Sequence, residues 1–281
     1  MEEALAEEFE THRGHLRAVA YRMLGSTAEA EDAVQEAWLR LARAGAGGVA
    51  NLAGWLTTVV GRICLDMLRS RRTRREEPLE THVPDPVVTD PAEVAALADS
   101  VGLALMVVLE TLKPPERLAF VLHDLFGVPF EEIAPIVGKS PAAATQLASR
   151  ARRRVRGAAR PDVGLAAQRE VVDAFLAASR AGDFEALVAV LDPDVVLRVD
   201  AGTASKLVRG ARDVASQALL FARGAGAVAR PVVVNGQAGL VATVAERPVA
   251  VFCPTVRGGR FVEVDIVADP DRVAALVGPG Q

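Results

Sequence analysis

The stretch PPERLAFVLHDLFGVPFEEIAPIVGKSPAAATQLASRARRRVR (residues 114–156) decides the fold of the middle of this 281-residue chain. Apolar residues at helical spacing predict three helices, over 116–125, 130–137 and 141–155. Ser140 is suited to cap the third helix, and Pro141 to occupy its first position. Pro135 is a misfit, because a proline inside a helix removes a backbone hydrogen bond. The layout predicts a helix-turn-helix.

The third helix carries the residue types that read duplex nucleic acid. Thr145, Gln146 and Ser149 lie off its apolar face near its start, where the side chains of a recognition helix contact base edges. Farther along, four arginines are of the type that binds phosphate: Arg150, Arg152, Arg153 and Arg154. A solvated basic helix in an unrelated bundle is the alternative interpretation.

Positive charge is concentrated in two stretches of the chain. Residues 62–75 contain six arginines and one aspartate, and residues 150–160 contain six arginines and no acid, whereas the whole chain has a net charge of −4. This balance disfavours attraction to nucleic acid by bulk charge. The two local patches instead predict contacts with duplex phosphate at two separate places.

Cysteine usage and hydropathy narrow the class of protein. Cys64 and Cys253 are far apart, and neither has a Cys or His at ligand spacing. A disulfide framework and a structural zinc site are therefore not expected, and we expect no cofactor. The chain begins with an acidic stretch without a signal segment, and no apolar run approaches the roughly 20 residues of a membrane span. We expect a protein of the reducing cytoplasm.

The chain divides at joints that are rich in proline and glycine. Residues 4–75 are predicted to be helical. The segment 76–91 contains four prolines and is predicted to be an extended linker. Residues 92–157 again show helical spacing. After a joint over 158–164, the remainder predicts an α+β domain. Its predicted helices cover 165–180, 184–191, 211–223 and 271–276. Its predicted strands are rich in valine and cover 195–199, 231–234, 240–244, 249–252 and 260–267.

Two further motifs stand before the linker, AEAEDAVQEAWLRL (28–41) and WLTTVVGRICLDMLRSRR (55–72). Together with the helix-turn-helix they resemble bacterial sigma factors of the extracytoplasmic-function (ECF) class. The resemblance implies a factor that binds promoter DNA and the β′ and β subunits of core RNA polymerase. It implies region 2 (1–75), which binds polymerase and the −10 element, the linker (76–91), and region 4 (92–157), whose helix-turn-helix reads the −35 element.

The resemblance also assigns residues within the two motifs. The first motif forms a polar stripe opposite an apolar face, and the family docks this stripe on polymerase: Asp32, Gln35, Glu36 and Arg40. The second motif is similar to the family's −10 helix, with four candidate DNA-binding positions: Arg62, Arg69, Arg71 and Arg72. Arg62 stands where the family usually has Asn. Family members hold a flipped base in the loop corresponding to 44–52, whereas helical spacing favours core packing for Trp38 and Trp55.

The stretches GDFEALVAVLDPDVVLRVD (182–200) and VVVNGQAGLVA (232–242) are similar to the SnoaL-like extension of the SigJ-like subgroup of these factors. The resemblance implies a regulatory cone over 165–281 and assigns a loop in contact with the sigma core: Asn235, Gly236, Gln237, Gly239 and Leu240. Ala238 replaces the proline of the subgroup's NGQPGL, and THVPDPVV (81–88) stands where the subgroup has WLPEPL. Asn-Gly is also a two-residue hairpin signal.

The predicted fold is therefore multidomain, with two all-α sigma domains, the second with a helix-turn-helix, followed by an α+β SnoaL-like cone. We expect no enzymatic activity, because all four His and the single Tyr precede residue 160. The acids of the cone are expected to pair with arginines on a sheet face. The ionisable candidates of the cone are Asp200, Glu263 and Asp265, together with Arg198 and Arg260.

Three functional questions stay open at this point. The chain is predicted to start transcription, and the cone to regulate it in cis, with activation and inhibition equally open. A small-molecule ligand of the cone is a further candidate partner. The alternatives are a transcriptional regulator that does not act through core polymerase, and a SnoaL-like isomerase or cyclase fused to a DNA-binding module.

Overall fold

The computed structural model describes residues 2–44, 51–74, 81–89, 103–156 and 161–277. They form two compact units. The N-terminal unit combines residues 1–77 with 108–157, and the C-terminal unit combines 78–107 with 158–281. The segment 81–89, which lies between the two sigma-like regions in the sequence, is thus part of the C-terminal unit.

Three long helices open the N-terminal unit: α1 (Glu2–Leu24), α2 (Thr27–Ala44) and α3 (Leu52–Arg74). Their apolar stripes pack on one another through fully buried side chains. The Ser26 hydroxyl accepts a hydrogen bond from the Glu29 amide at 3.4 Å and caps α2. Trp38 packs on Phe9 with ring centroids 5.2 Å apart, so its predicted core packing is confirmed, and Trp55 is half-buried.

Four shorter helices follow: α4 (Leu103–Thr111), α5 (Pro114–Phe120), α6 (Phe130–Val137) and α7 (Pro141–Val155). The first five residues of α4 belong to the C-terminal unit, and the rest of these helices belong to the N-terminal unit. A π-helical turn, Val121–Leu125, continues α5. Gly138 ends α6 in the left-handed conformation (φ 67°), and the Ser140 hydroxyl caps α7 by accepting from the Ala143 amide at 3.3 Å. Pro135 is exposed, and because proline has no amide hydrogen, the Glu131 carbonyl lacks its usual helical donor. The predicted helix-turn-helix is confirmed.

The C-terminal unit contains a seven-stranded sheet in the order β1-β4-β5-β6-β7-β2-β3, antiparallel except for β2 with β7. Its strands are β1 (Val88–Thr89), β2 (Leu191–Asp200), β3 (Lys206–Arg209), β4 (Val228–Val234), β5 (Gln237–Val244), β6 (Arg247–Arg257) and β7 (Arg260–Val267). Its helices are α8 (Leu165–Ala181), α9 (Phe184–Ala189), α10 (Ala211–Ala225) and α11 (Pro270–Val277). The predicted α+β class is confirmed, whereas β1 and β3 were not predicted.

Helices α8, α9 and α10 cover one face of this sheet and enclose its apolar core. Three rings stand in the core, with centroids 5.3–6.1 Å apart: Phe175, Phe252 and Phe261. Leu197 of β2 joins this core, and strand alternation therefore places Arg198 and Asp200 on or toward the opposite face. The core between these helices and the sheet is therefore aromatic and aliphatic, and Arg198 and Asp200 of β2 lie outside it.

Candidate polymerase, promoter and linker sites

Helix α2 has an apolar face and a polar face. Its apolar face is fully buried and consists of Ala33, Val34, Ala37 and Leu41. On the other face Asp32, Gln35 and Arg40 are exposed, and Glu36 keeps 39% of its side chain exposed. Arg40 Nε lies 2.9 Å from Glu36 Oε1, an i,i+4 pair that orders the stripe. The structure brings the four predicted polymerase-binding residues together on one accessible surface, beside the exposed Leu39.

Helix α3 presents only part of its predicted DNA-binding set to solvent. Arg62 is exposed, and Arg69 is exposed with its guanidinium 3.5 Å from Asp66. The side chain of Arg72 lies outside the described residues, as do residues 45–50 of the predicted base-holding loop. The accessible cations of the described part of α3 are therefore Arg62 and Arg69.

Arg71 is held inside the N-terminal unit. Only 19% of its side chain is exposed, and its guanidinium forms an ion pair with Glu29, with Nε 2.9 Å from Glu29 Oε1. Nη1 also donates to the Leu24 carbonyl at 2.9 Å, the last residue of α1. Arg71 thus links α3 to α1 and α2. The sequence prediction missed this role because Glu29 lies 42 positions away.

Helix α7 buries one face and exposes a narrow polar stripe. The buried side chains are Ala144, Leu147, Ala148, Ala151 and Val155. Gln146, Ser149 and Arg153 are exposed at spacings of three and four residues, which aligns them on one side of the helix. Thr145 is also exposed, and its hydroxyl donates to the Pro141 carbonyl at 3.0 Å. The predicted base-reading residues share a surface with one arginine of the cluster.

The remaining arginines of α7 are engaged in ion pairs. Arg150 Nε and Arg154 Nη1 lie 2.9 and 3.0 Å from the two carboxylate oxygens of Glu116 on α5. Arg152 Nε lies 2.5 Å from Asp124 Oδ1. In the sequence, the four arginines form one set. The structure divides them into Arg153, which lies on the polar stripe, and three arginines that are held in ion pairs. The role of Glu116 was not predicted, since nothing local in the sequence marks it.

Region 2 and region 4 meet within the N-terminal unit at a contact that we call the apolar junction. A Cβ atom on Gly61 of α3 would lie 3.4–3.7 Å from the side chains of Leu118, Leu122 and Ile136. Nearby Arg117, 3% exposed, donates Nη1 to the Met23 carbonyl at 2.7 Å, close to the end of α1. A cation at a helix C-terminus interacts favourably with the helix dipole. Arg117 also lies 3.7 Å from the buried Glu110 carboxylate, so the junction combines apolar packing around Gly61 with one buried ion pair.

In the C-terminal unit, Arg272 of α11 binds the segment 81–89. Its guanidinium contacts Asp85 Oδ1 at 2.6 and 2.8 Å, Asp200 Oδ2 at 2.7 Å and the Val83 carbonyl at 2.5 Å. Asp200 Oδ2 also accepts from the Val83 amide at 2.9 Å and lies 3.1 Å from His82 Nδ1. Val83 is fully buried. We call this set of contacts the linker clasp.

The ionisation of Asp200 follows from these contacts. Burial opposes the charged form, but the hydrogen bonds from His82 and the Val83 amide and the charge of Arg272 outweigh it. Together they hold the pKa of the Asp200 carboxyl well below its usual range. Asp200 is therefore a structural carboxylate that is ionised at neutral pH.

The Asn-Gly loop and β4 hold the following residues of the segment 81–89, and we include these contacts in the linker clasp. The two-residue turn has positive φ at Asn235 (47°) and Gly236 (74°), which confirms the predicted hairpin. The Asn235 side-chain oxygen accepts from the Val87 amide at 2.6 Å, and the Asn235 amide donates to the Val87 carbonyl at 3.0 Å. Just beyond, β1 pairs with β4, with Val88 opposite Val234. The hairpin alone is therefore an incomplete explanation of Asn235.

The other residues of the predicted regulatory loop are buried within the cone. Gln237 and Leu240 are 9% and 4% exposed. A Cβ on Gly239 would lie 2.6 Å from a Val234 methyl carbon, so close packing requires glycine there. The Ala238 amide donates to Gln168 Oε1 at 3.0 Å, a bond that a proline cannot make. The departure from NGQPGL therefore adds a hydrogen bond between β5 and α8.

The other two candidate acids of the cone, Glu263 and Asp265, pair with Arg198, as expected for a sheet face. Arg198 Nη1 lies 2.8 Å from Asp265 Oδ1, and Nη2 lies 3.4 Å from Glu263 Oε1. Burial raises the pKa of the Asp265 carboxyl to about 6, against the opposing charge of Arg198. Arg260 is exposed at the turn between β6 and β7. Among the described residues, no group of three His, Cys, Asp or Glu is arranged to hold a metal ion.

No helix among the described residues is both long enough and apolar enough to cross a bilayer.

Comparison with known proteins places this geometry in a family. Residues 9–74 match Sigma-70 region 2, and residues 102–155 match Sigma-70, region 4. The chain is 42% identical to the ECF RNA polymerase sigma factor SigJ of Mycobacterium tuberculosis, over 94% of this chain and 92% of that protein. It is 37% identical to the probable ECF RNA polymerase sigma factor SigI of the same species, over 94% and 93% of the two chains.

A solved structure covers both units. The crystal structure of M. tuberculosis SigJ superposes with a TM-score of 0.75 at 39% identity, covering 95% of this chain and 97% of that one. The resemblance to the SigJ-like subgroup is confirmed, including its α+β extension. Relatives of this kind work with RNA polymerase and promoter DNA and catalyse no reaction. The chain therefore belongs to the ECF sigma factors of RNA polymerase.

Proposed function

We propose that this chain directs core RNA polymerase to a specific set of promoters in the cytoplasm and that its C-terminal unit regulates this step in cis. Region 2 (1–75) binds polymerase and the −10 element, and region 4 (92–157) binds the −35 element. The linker (76–91) joins them, and a joint (158–164) leads to the regulatory cone (165–281). The observation that carries the proposal is the exposed α2 stripe on the same unit as an exposed recognition helix.

The α2 stripe is the proposed contact with the β′ and β subunits. Its charged members Asp32, Glu36 and Arg40 are accessible, whereas the opposite face of α2 is buried in the core. Exposed polar residues on a rigid helix supply orientation and specificity to a protein interface. Leu39, 41% exposed within this surface, adds an apolar contact.

The recognition helix is the proposed −35 reader. Gln146 and Ser149 face outward on α7, where they contact base edges, with Thr145 beside them. The arginines of the same helix bind phosphate, and Arg62, Arg69 and Arg72 of α3 do so near the −10 element. Arg71 reaches DNA only if it leaves Glu29, so we assign it to holding α3 in place.

The apolar junction represents a resting state in this proposal. The −35 and −10 elements lie about 25 base pairs apart, which corresponds to roughly 85 Å of duplex. Helix α3 cannot remain packed on α5 and α6 while the two regions reach both elements. Promoter binding therefore requires the junction around Gly61 to open.

The linker clasp is the proposed regulatory contact. The linker is the covalent connection between regions 2 and 4, and the clasp holds eight of its residues, 82–89, on the cone. Holding them removes roughly 25 Å from the reach of the linker. Release of the clasp thus favours the open form. A small molecule bound to the cone would change this balance only by binding one form better than the other.

Charge reversal of the α2 stripe tests the proposed function. We expect D32K/E36K in the full chain to weaken binding to core polymerase at least tenfold, because two accessible charges are inverted at the interface. The matched control is E7K/E8K, which makes the same charge change at exposed positions of α1. Equal affinities of the two variants, measured by titration of fluorescently labelled protein with core polymerase, contradict the proposed contact.

A further inference from the structure

Glu116 holds two arginines of the recognition helix at once. It stands in the first turn of α5 and is 4% exposed. Its Oε1 lies 2.9 Å from Arg150 Nε, and its Oε2 lies 3.0 Å from Arg154 Nη1. The two arginines are four positions apart, one above the other on α7. Each carboxylate oxygen therefore fixes one guanidinium, and the pair is aligned along the helix.

These guanidinium groups remain available for another partner. The side chains of Arg150 and Arg154 are 46% and 48% exposed, although each is bonded to a nearly buried carboxylate. A guanidinium has five N–H donors, and Glu116 accepts one hydrogen bond from each arginine. Glu116 therefore leaves most of the donors of each guanidinium unengaged. By contrast, Arg153 makes no hydrogen bond or ion pair with any residue that the structure describes.

We propose that Glu116 is a positioning residue for DNA binding, which orders Arg150 and Arg154 so that they meet the phosphate backbone without further loss of side-chain freedom. The inference rests on the proposed role of α7 in promoter recognition. A long side chain that becomes ordered on binding loses conformational entropy, which weakens binding. A side chain that is already ordered in the free protein does not lose this entropy again. Glu116 thus strengthens binding although its own charge repels DNA.

The direction in which one substitution changes the DNA affinity distinguishes the positioning role from a purely electrostatic effect of Glu116. Glu116→Gln removes a negative charge close to the DNA-binding surface, so Coulomb attraction alone predicts tighter binding. The positioning role predicts weaker binding, because both arginines are released. We expect at least about fivefold weaker binding, the lower end of what ordering two long side chains costs.

The salt dependence provides a second readout. The slope of the logarithm of the affinity against the logarithm of salt concentration counts phosphate contacts, at about 0.9 per contact. Glu116→Gln keeps both arginine charges, so we expect lower affinity at an unchanged slope. Arg153→Ala deletes a contact, so we expect lower affinity and a slope smaller by about 0.9.

The experiment uses the full chain and a fluorescently labelled mixed-sequence DNA duplex, titrated at several salt concentrations. Glu132→Gln is the matched control, since it removes an exposed charge from α6 of the same helix-turn-helix and is expected to leave binding unchanged or slightly tighter. Glu116→Asp, one methylene shorter, keeps the charge but cannot reach both arginines, so we expect an intermediate loss. Thermal unfolding of each variant reports on folding.

A variant that lacks both arginines shows whether Glu116 acts through them. In R150A/R154A, a further Glu116→Gln change should no longer weaken binding. Further weakening in that background, or binding by Glu116→Gln that equals or exceeds that of the natural chain, overturns the inference. Failure of the natural chain to bind the duplex at low salt instead contradicts the proposed DNA contact itself.

Discussion

The apolar junction of the N-terminal unit and the linker clasp of the C-terminal unit both join segments far apart in the sequence, but through different interactions. At the junction, Leu118, Leu122 and Ile136 surround a glycine of α3. At the clasp, Arg272 binds two carboxylates, and a backbone strand pairs with β4. Apolar packing has no charge for salt to screen or for pH to titrate, whereas a partly exposed ionic contact responds to both.

The proposed function places the regulated step at the clasp, because only this contact depends on charge throughout. The pKa of Asp200 is lowered in the folded protein, so its contribution to stability is complete above pH ~4 and is lost as the pH falls further. The junction has no such dependence in its apolar part. In this account the signal acts on the linker, and the junction opens as a consequence.

Removing the cation of the clasp should have the largest effect. Arg272→Met leaves Asp85 and Asp200 without their shared partner, and we expect a loss of about 3 kcal/mol in the free energy of unfolding of the C-terminal unit. Hydrogen exchange at the Val83 and Val87 amides should accelerate, because both donate to groups of the cone.

The matched control for this prediction is Arg260→Met. Arg260 is an exposed arginine in the same unit, and its replacement should leave unfolding and exchange unchanged. Equal exchange rates at Val83 in the Arg272 and Arg260 variants would show that the clasp does not hold the linker.

Filling the glycine at the apolar junction should have the next largest effect. Gly61→Leu inserts a side chain where only a methyl group fits, and we expect a loss of about 2 kcal/mol in thermal unfolding of the N-terminal unit. Gly61→Ala fits at 3.4–3.7 Å from its neighbours and should gain up to about 1 kcal/mol from helix propensity. The difference between the two variants should be the same at low and high salt, and a strong salt dependence would refute the apolar description.

A smaller effect is expected at the Asn-Gly turn. Asn235→Gly keeps the turn but removes the acceptor for the Val87 amide, so we expect a loss of about 1 kcal/mol and faster exchange at that amide. Ala245 has the same positive φ of 47° and supplies the matched control. Ala245→Gly relieves backbone strain and should stabilise the unit by about 1 kcal/mol. Destabilisation by both changes would mean that the side chain of Asn235 contributes nothing specific.

The smallest effect is expected where the chain departs from its subgroup. Ala238→Pro removes the amide that donates to Gln168, while the stiffness of proline offsets part of the loss, so we expect a net cost of about 0.5 kcal/mol. Gln168→Leu should cost more in the natural chain than in the Ala238→Pro chain. Identical costs in a double-mutant cycle, followed by urea denaturation, would exclude coupling of the two residues.

Local periodicity allowed much of the fold to be predicted. The recognition helix over 141–155 and the polar stripe of α2 follow from spacing within a few turns, and the structure has both. The Asn-Gly hairpin follows from a two-residue conformational requirement. The sheet edges were missed, because β3 has four residues and β1 stands among prolines, where strand patterns are weakest.

Long-range pairs were not predictable from one sequence. Arg272 and Asp85 are 187 positions apart, and Arg150 and Glu116 are 34 apart, so no local pattern joins them. The composition of the arginine-dense stretches correctly indicated cationic surfaces. It did not indicate that Arg71 is buried against Glu29 or that two arginines of α7 share a carboxylate.

The most direct test of the central claim is to map transcription start sites in vitro. Purified full-length chain and core polymerase are incubated with fragmented genomic DNA of the host, and the 5′ ends of the transcripts are sequenced. The account predicts starts that are absent with core polymerase alone and that follow a shared pair of upstream elements, with more transcript from the Arg272→Met chain. A distribution of starts identical to that of core polymerase alone would contradict it.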